Sequence, residues 1–123
     1  MTDSSGTSSI EDQPTGVHVL PVKHRVLANC ITEDHLEGHH FAVYVEYRGR
    51  NLWAVTHMGV CLGRAGGWDH EPSPSNRTDS WIADHRFDFD TALKLAIEVA
   101  ERVKIGGNMT AREYAAWQAE ADA

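Results

Sequence analysis

The sequence predicts an α+β fold, an antiparallel β-meander of three or four strands covered by a C-terminal helix pair. Three observations carry that expectation. Residues 41–47 and 52–57 are rich in Val, Tyr, Phe and Trp and flank Arg48-Gly49-Arg50-Asn51, a hairpin signal. Residues 90–105, DTALKLAIEVAERVKI, repeat apolar groups at spacings of three and four, a helix signal. Thr110-Ala111-Arg112-Glu113 then has the spacing of a capping box opening a second helix. A chain of 123 residues has room for one core, so residues 17–123 are read as a single domain.

Residues 1–16, MTDSSGTSSIEDQPTG, offer almost no large apolar group to offset the entropy of ordering them. They are expected to be a disordered N-terminal arm, with Pro14 and Gly16 marking the entrance to the fold. From Val17 the runs VHVLPV and HRVLANCI suggest an edge strand broken near Pro21 and Lys23. The polar stretch ITEDHLEGHH connects it to the hairpin. A two-residue turn at Gly49 and Arg50 would pair Arg48 with Asn51 and Glu46 with Trp53. Strand alternation then places Phe41, Val43, Val45, Tyr47, Leu52 and Ala54 on the core face. Tyr44, Glu46, Arg48, Trp53, Val55 and His57 take the other. VCLGR at 60–64 is expected to return beside the hairpin. Residues 65–80, rich in Gly, Pro and hydroxyl side chains, read as a long loop, and loops of that length are more often functional than idle. Trp81 to Phe87 fits either a helical turn or a last strand. Asp90 is the expected cap of the long helix, Leu93, Ala96, Ile97, Ala100 and Val103 its buried stripe, and Gly106-Gly107 its end. Tyr114 and Trp117 are expected to anchor the last helix.

Lys and Arg number 11 against 18 Asp and Glu, a formal charge of −7. Much of the excess lies at the ends: Asp3, Glu11 and Asp12 meet no base in 1–16, and Arg112 faces Glu113, Glu120 and Asp122 in 111–123. That balance argues against a phosphate-backbone binder of the basic kind and against a DNA mimic. The 8 histidines leave room for a pH-sensitive surface, but only His39 and His40 are adjacent, and scattered solvated side chains are the plainer reading. Cys30 and Cys61 sit in apolar runs, and the N-terminus has neither a basic nor an apolar leader region. Reduced thiols and a cytoplasmic location are expected. Apolar stretches of a few residues are too short for a membrane span.

Gly63-Arg64 to Trp68, then Glu71-Pro72-Ser73-Pro74-Ser75-Asn76-Arg77, then Arg86-Phe87 leading into Asp90-Thr91-Ala92-Leu93-Lys94-Leu95-Ala96 form a connected pattern over roughly residues 40–117. It resembles small uncharacterised proteins of actinobacterial bacteriophages and prophages, with Glu-Pro-Ser-Pro-Ser as its most specific element. The resemblance implies a phage-type origin and a site of action in the host cell cytoplasm. It supplies no activity to carry over.

Candidate chemistry centres on the loop and its flanks. Among Arg64, Trp68, His70, Glu71, Arg77, Trp81 and Arg86, the Trp and Arg residues are the types most enriched at binding hot spots, because they bury large areas and donate directional hydrogen bonds. Joined to Trp53 and Tyr44 on the sheet, they form the expected partner-binding surface. The bland reading is that Trp68 and Trp81 plug the core edge while Arg77 pairs with Asp79 or Glu71. Cys30, His35, His57, Cys61 and His70 lack metal-ligand spacing, so no metal or other cofactor is expected. His70, Glu71, Ser73 and His85 mix acid, base and nucleophile types without a catalytic frame, and Gly63, Gly66 and Gly67 do not open a helix as a phosphate cradle would. The expectation is therefore a small non-enzymatic accessory protein that binds a protein partner, either a host factor or its own second copy as a homodimer. Nucleic-acid binding through Tyr44, Trp53, Arg48 and Arg50 is the alternative.

Overall fold

The computed structural model describes residues 16–32, 34–35, 38–105 and 109–122. Five strands form one antiparallel sheet in sequence order: β1 (Lys23–Val26), β2 (Val43–Tyr47), β3 (Trp53–His57), β4 (Val60–Leu62) and β5 (Trp68–His70). Strands β1 and β5 are its edges. A single helical turn, α1 (Gly38–Phe41), leads into β2. The short helix α2 (Asp79–His85) precedes α3 (Phe89–Ala100), and a two-stranded ribbon of β6 (Lys104–Ile105) and β7 (Met109–Thr110) leads to α4 (Ala111–Asp122). The expected α+β meander with a C-terminal helix pair is present, and its fifth strand comes from residues assigned to the loop. The expected arm falls in residues 1–15, outside the described residues, apart from Gly16, which is exposed.

The hairpin register differs by one residue from the expected one. Tyr47 pairs with Trp53, Glu46 with Ala54 and Tyr44 with Thr56. Gly49, Arg50 and Asn51 form a three-residue turn with φ of +94°, +55° and +61°. It is closed by Arg48 N–H donating to the Leu52 carbonyl at 2.8 Å. A slip of one residue moves a whole strand to the opposite face. Trp53 and Val55 therefore join Val43 and Val45 on the core face, whereas Ala54 lies beside Tyr44 and Glu46. The two-residue turn would have split Val55 from Val43 and Val45, all of which are completely buried in one cluster. Phe41 also leaves the expected face and enters a second cluster with Ala28, Ile31 and Ala111.

Helix α3 lies across β2 and β3. Its cap is Asp88, whose carboxylate accepts from Thr91 N–H at 2.7 Å, two residues before the expected Asp90. Ala92, Ala96 and Ala100 form the buried stripe, with Leu93, Leu95 and Val99 beside it. Small side chains let the helix backbone approach the valine layer. Ile97, expected in the stripe, is 58% exposed. The helix ends at Ala100 because residues 104–105 leave it to pair with 109–110, and the expected Gly106-Gly107 stop lies outside the described residues. The capping box of α4 forms as expected: Glu113 N–H donates to Thr110 Oγ1, and Thr110 N–H donates to Glu113 Oε1. Tyr114 packs on the second cluster, whereas Trp117 is half exposed beside it.

The expected 65–80 loop is mostly ordered structure. Gly66, at φ +94°, turns the chain so that β5 can return along β4. A 3-10 turn at Pro74–Asn76 follows, and Thr78 caps α2 by accepting from Trp81 N–H at 3.1 Å. The undecided 81–87 segment is both helix and strand. After α2, Phe87 makes an antiparallel bridge to Trp53, with N–H to O distances of 2.9 and 2.7 Å.

Candidate binding surfaces

Strand alternation gives the sheet one apolar and one charged face. Lys23, Arg25, Tyr44, Glu46, Thr56 and Cys61 share the face opposite α3, as their cross-strand pairing shows. Arg48 continues the β2 alternation and Glu71 that of β5. Arg86 is one residue before the core-facing Phe87, so it points the same way.

These positions bring four charged groups together. Arg48 grips Glu71 with both ends of its fork, Nε to Oε2 and Nη2 to Oε1, each at 3.0 Å. Arg86, 4% exposed, donates Nη2 to Oε2, and Arg77 Nη2 lies 3.4 Å from the same oxygen. Burial alone would raise the Glu71 carboxyl, but the Arg48 and Arg86 bonds outweigh it and hold the pKa at about 2. The bond to Glu71 in turn raises Arg48. Arg48 Nη1 also reaches Glu46 at 3.5 Å, and Glu46 accepts from Thr56 Oγ1 at 2.6 Å. Burial, and then Glu71, push the neighbouring Cys61 thiol up to about 11, so it stays protonated. Both cysteines are free.

Helix α2 covers the β4–β5 end of this face. His85 has a ring nitrogen on each of two oxygen acceptors, the Trp81 carbonyl and the Asp69 carboxylate, both at 2.8 Å. Its ring stacks on Trp81, with centroids 4.0 Å apart and planes 9° apart. Arg64 closes the C-terminal end of α2 by donating Nε to Ala83 O at 2.7 Å and Nη2 to Arg86 O at 2.8 Å. This is the usual service of a cation at a helix C-terminus.

Of the sequence-selected residues, Glu71, Arg77, Arg86 and Trp81 come together, but Arg64, Arg77 and Arg86 spend their donors inside the domain. Arg77 takes Glu71, the partner offered by the bland reading. Trp68 packs against the core, and His70 is exposed on β5, its β4 partner being Val60. Tyr44 and Trp53 do not share a surface: Tyr44 lies under the Lys23 ammonium at 4.4 Å, while Trp53 is on the α3 side against Phe89 and Tyr47. Arg48, the centre of the cluster, belongs to the residues of the nucleic-acid alternative and not to the expected partner-binding surface. Its position four residues from Tyr44 on one strand face was the available signal, but its Glu71 partner is 23 residues away.

On the apolar side, Val17, Val19, Leu20 and Val22 are each more than half exposed, and Tyr47 is 38% exposed. Leu20, Val22, His24, Tyr47, Trp53 and Phe89 line an open cavity of about 470 Å³ at edge strand β1. Among the described residues, no three metal-ligating side chains converge and no helix is long and apolar enough to cross a membrane.

These features define an open-edged α+β meander with an apolar groove at one edge and a guanidinium–carboxylate cluster on the opposite face. No family model matches the chain, and no curated protein and no solved structure matches it.

Proposed function

We propose that this is a non-enzymatic, cytoplasmic accessory protein of phage type that acts by binding another polypeptide chain, a host protein or a second copy of itself. The observation that carries the reading is the apolar strip of residues 17–22 beside Tyr47 and Trp53. Clustered apolar exposure of this kind marks an interaction surface more often than scattered single residues do. Trp53 and Tyr47 supply the aromatic anchor, while Arg64, Arg77 and Arg86 of the 64–86 segment bond within the domain. The phage-type and cytoplasmic parts of the reading rest on the Glu71–Ser75 resemblance. The test is a pair of full-length variants, Leu20→Asp and Tyr47→Asp, compared with wild type by sedimentation and by capture from lysate with and without nuclease. Loss of self-association or of a nuclease-resistant partner at unchanged melting temperature supports the reading. Identical behaviour of all three chains removes it.

A second reading, nucleic-acid binding, draws on the grouping of Lys23, Arg25, Tyr44 and Arg48 on one face. It has lost the paired Tyr44–Trp53 stacking platform. Its signature would be affinity for single strands that falls steeply with salt and weakens with Tyr44→Ala.

A further inference from the structure

A second cavity of about 240 Å³ opens on the charged face, away from the apolar groove, and its floor and walls include Lys23, Tyr44, Glu46, Arg48, Thr56 and Glu71. The lining itself balances, Lys23 and Arg48 against Glu46 and Glu71; with Arg77 and Arg86 behind Glu71 and the Asp69 carboxylate opposite Cys61 on the same face, the layer holds four cations against three carboxylates. Protonated Cys61 adds no charge. In a chain of net charge −7 this concave spot is therefore locally positive. Low-dielectric walls concentrate such a field, and a cation surplus in a concave site favours an anion that fits.

The bonding pattern says where the surplus is available. Glu71 is saturated, since its Oε2 alone is approached by Arg48, Arg77 and Arg86. Glu46 is held by Thr56 at 2.6 Å and only loosely by Arg48 Nη1, at 3.5 Å. Arg48 Nη1 has only long contacts, 3.5 Å to Glu46 Oε1 and 3.4 Å to the Tyr47 carbonyl, against the 3.0 Å bonds that hold Nε and Nη2. Lys23 pairs with Glu46 in the strand register, yet its ammonium rests on the Tyr44 ring. We infer that this pocket binds a small oxyanion, a phosphate or carboxylate group, between the Lys23 ammonium and Arg48 Nη1 over Tyr44. The fork of Arg48 stays on Glu71 throughout, so the ligand finds a guanidinium already oriented. The inference does not depend on the apolar groove, which lies on the other face.

The test is a 1H–15N titration of the full-length protein with inorganic phosphate and, separately, with acetate, each against chloride at matched ionic strength. Saturable shifts at Lys23, Tyr44, Arg48 and Thr56, with Kd on the order of a millimolar, are expected for so small a probe. Phosphate alone saturating identifies a phosphate-bearing ligand; acetate saturating as well identifies a carboxylate-tolerant site. Lys23→Gln, an exposed edge position that leaves the core intact, should weaken binding about tenfold, the loss of one charge-assisted bond. Arg112→Gln, in an exposed ion pair on α4, should leave it unchanged. Shifts that do not saturate, that chloride reproduces, or that survive Lys23→Gln overturn the inference.

Discussion

At the scale of single residues, Glu71 is the group whose loss reaches furthest. Three guanidiniums converge on it, and removing the carboxylate charge leaves them facing one another in a largely water-excluded layer. Breaking one partner of such a buried set costs about 3 kcal/mol, so Glu71→Gln should lower the urea midpoint by that equivalent. A stability within about 0.5 kcal/mol of wild type would show that the arginines are solvated instead. The same carboxylate sets an acid limit. Its folded pKa of about 2 lies below the ordinary 4.5, so its contribution is complete above about pH 4.5 and is lost as pH falls from there towards 2. Acid unfolding of Glu71→Gln should be shallower than that of wild type over this window. Gly63 makes a complementary point about space. A Cβ there would stand 2.8 Å from Asp84 Oδ2 and 3.2 Å from His85 Nε2. The Asp84 carboxylate can swing away, but His85 is buried and held by Asp69. Gly63→Ala should therefore push α2 off the sheet and cost about 1–2 kcal/mol in thermal unfolding.

At the scale of elements, the two hairpin turns show how backbone conformation sets faces. Met58 and Gly59 connect β3 to β4 in two residues with φ of +50° and +86°, the primed type I turn, in which Asn-Gly is preferred. Met58 is 60% exposed at the rim of the charged-face cavity, so little burial offsets its left-handed backbone. Met58→Asn should stabilise the protein by about 0.5–1 kcal/mol, measured by chemical denaturation. A loss would mean that the Met58 side chain contributes more contact than its exposure implies. Trp68 tests whether the 64–86 segment is a support or a recognition surface. It packs on the core cluster and its ring is 5.8 Å from that of His57, so Trp68→Ala should cost about 2 kcal/mol of stability. A variant that melts as wild type but loses partner binding would return Trp68 to the recognition surface.

At the scale of the whole molecule, the two sheet faces are chemically separate. One holds the valine and alanine core with an apolar groove at its open edge, and the other holds a charged layer clamped by α2. A partner at the groove and an anion at the charged pocket should accordingly bind independently: phosphate at saturating concentration should leave the self-association or partner affinity of the wild-type chain unchanged. A shift in either affinity of more than about threefold would mean that β1, which contributes to both sites, couples them.

How much of this was legible in the sequence follows from the range of the forces involved. The α+β class, the hairpin, the long helix and the Thr110–Glu113 cap were readable because each depends on neighbours within a few residues. The hairpin register was not, since turns of two and three residues both accommodate Gly49, and the choice fell to burial of Val55 and Trp53 under α3. Helix α3 stopped early for a similar reason: its periodicity continues past Ala100, but the β6–β7 ribbon takes 104–105 and 109–110, and Ile105 and Ala111 join the second core cluster. The binding residues divide along the same line. Composition marked Glu71, Arg77 and Arg86 as chemically able, yet only the folded sheet decided that they bind one another, because Arg48 and Glu71, 23 residues apart, meet only when β2 and β5 are held in one sheet. Local sequence dictates which elements form and which residue types are available. The tertiary structure alone decided which face each side chain takes, because facing depends on a one-residue register that long-range burial sets.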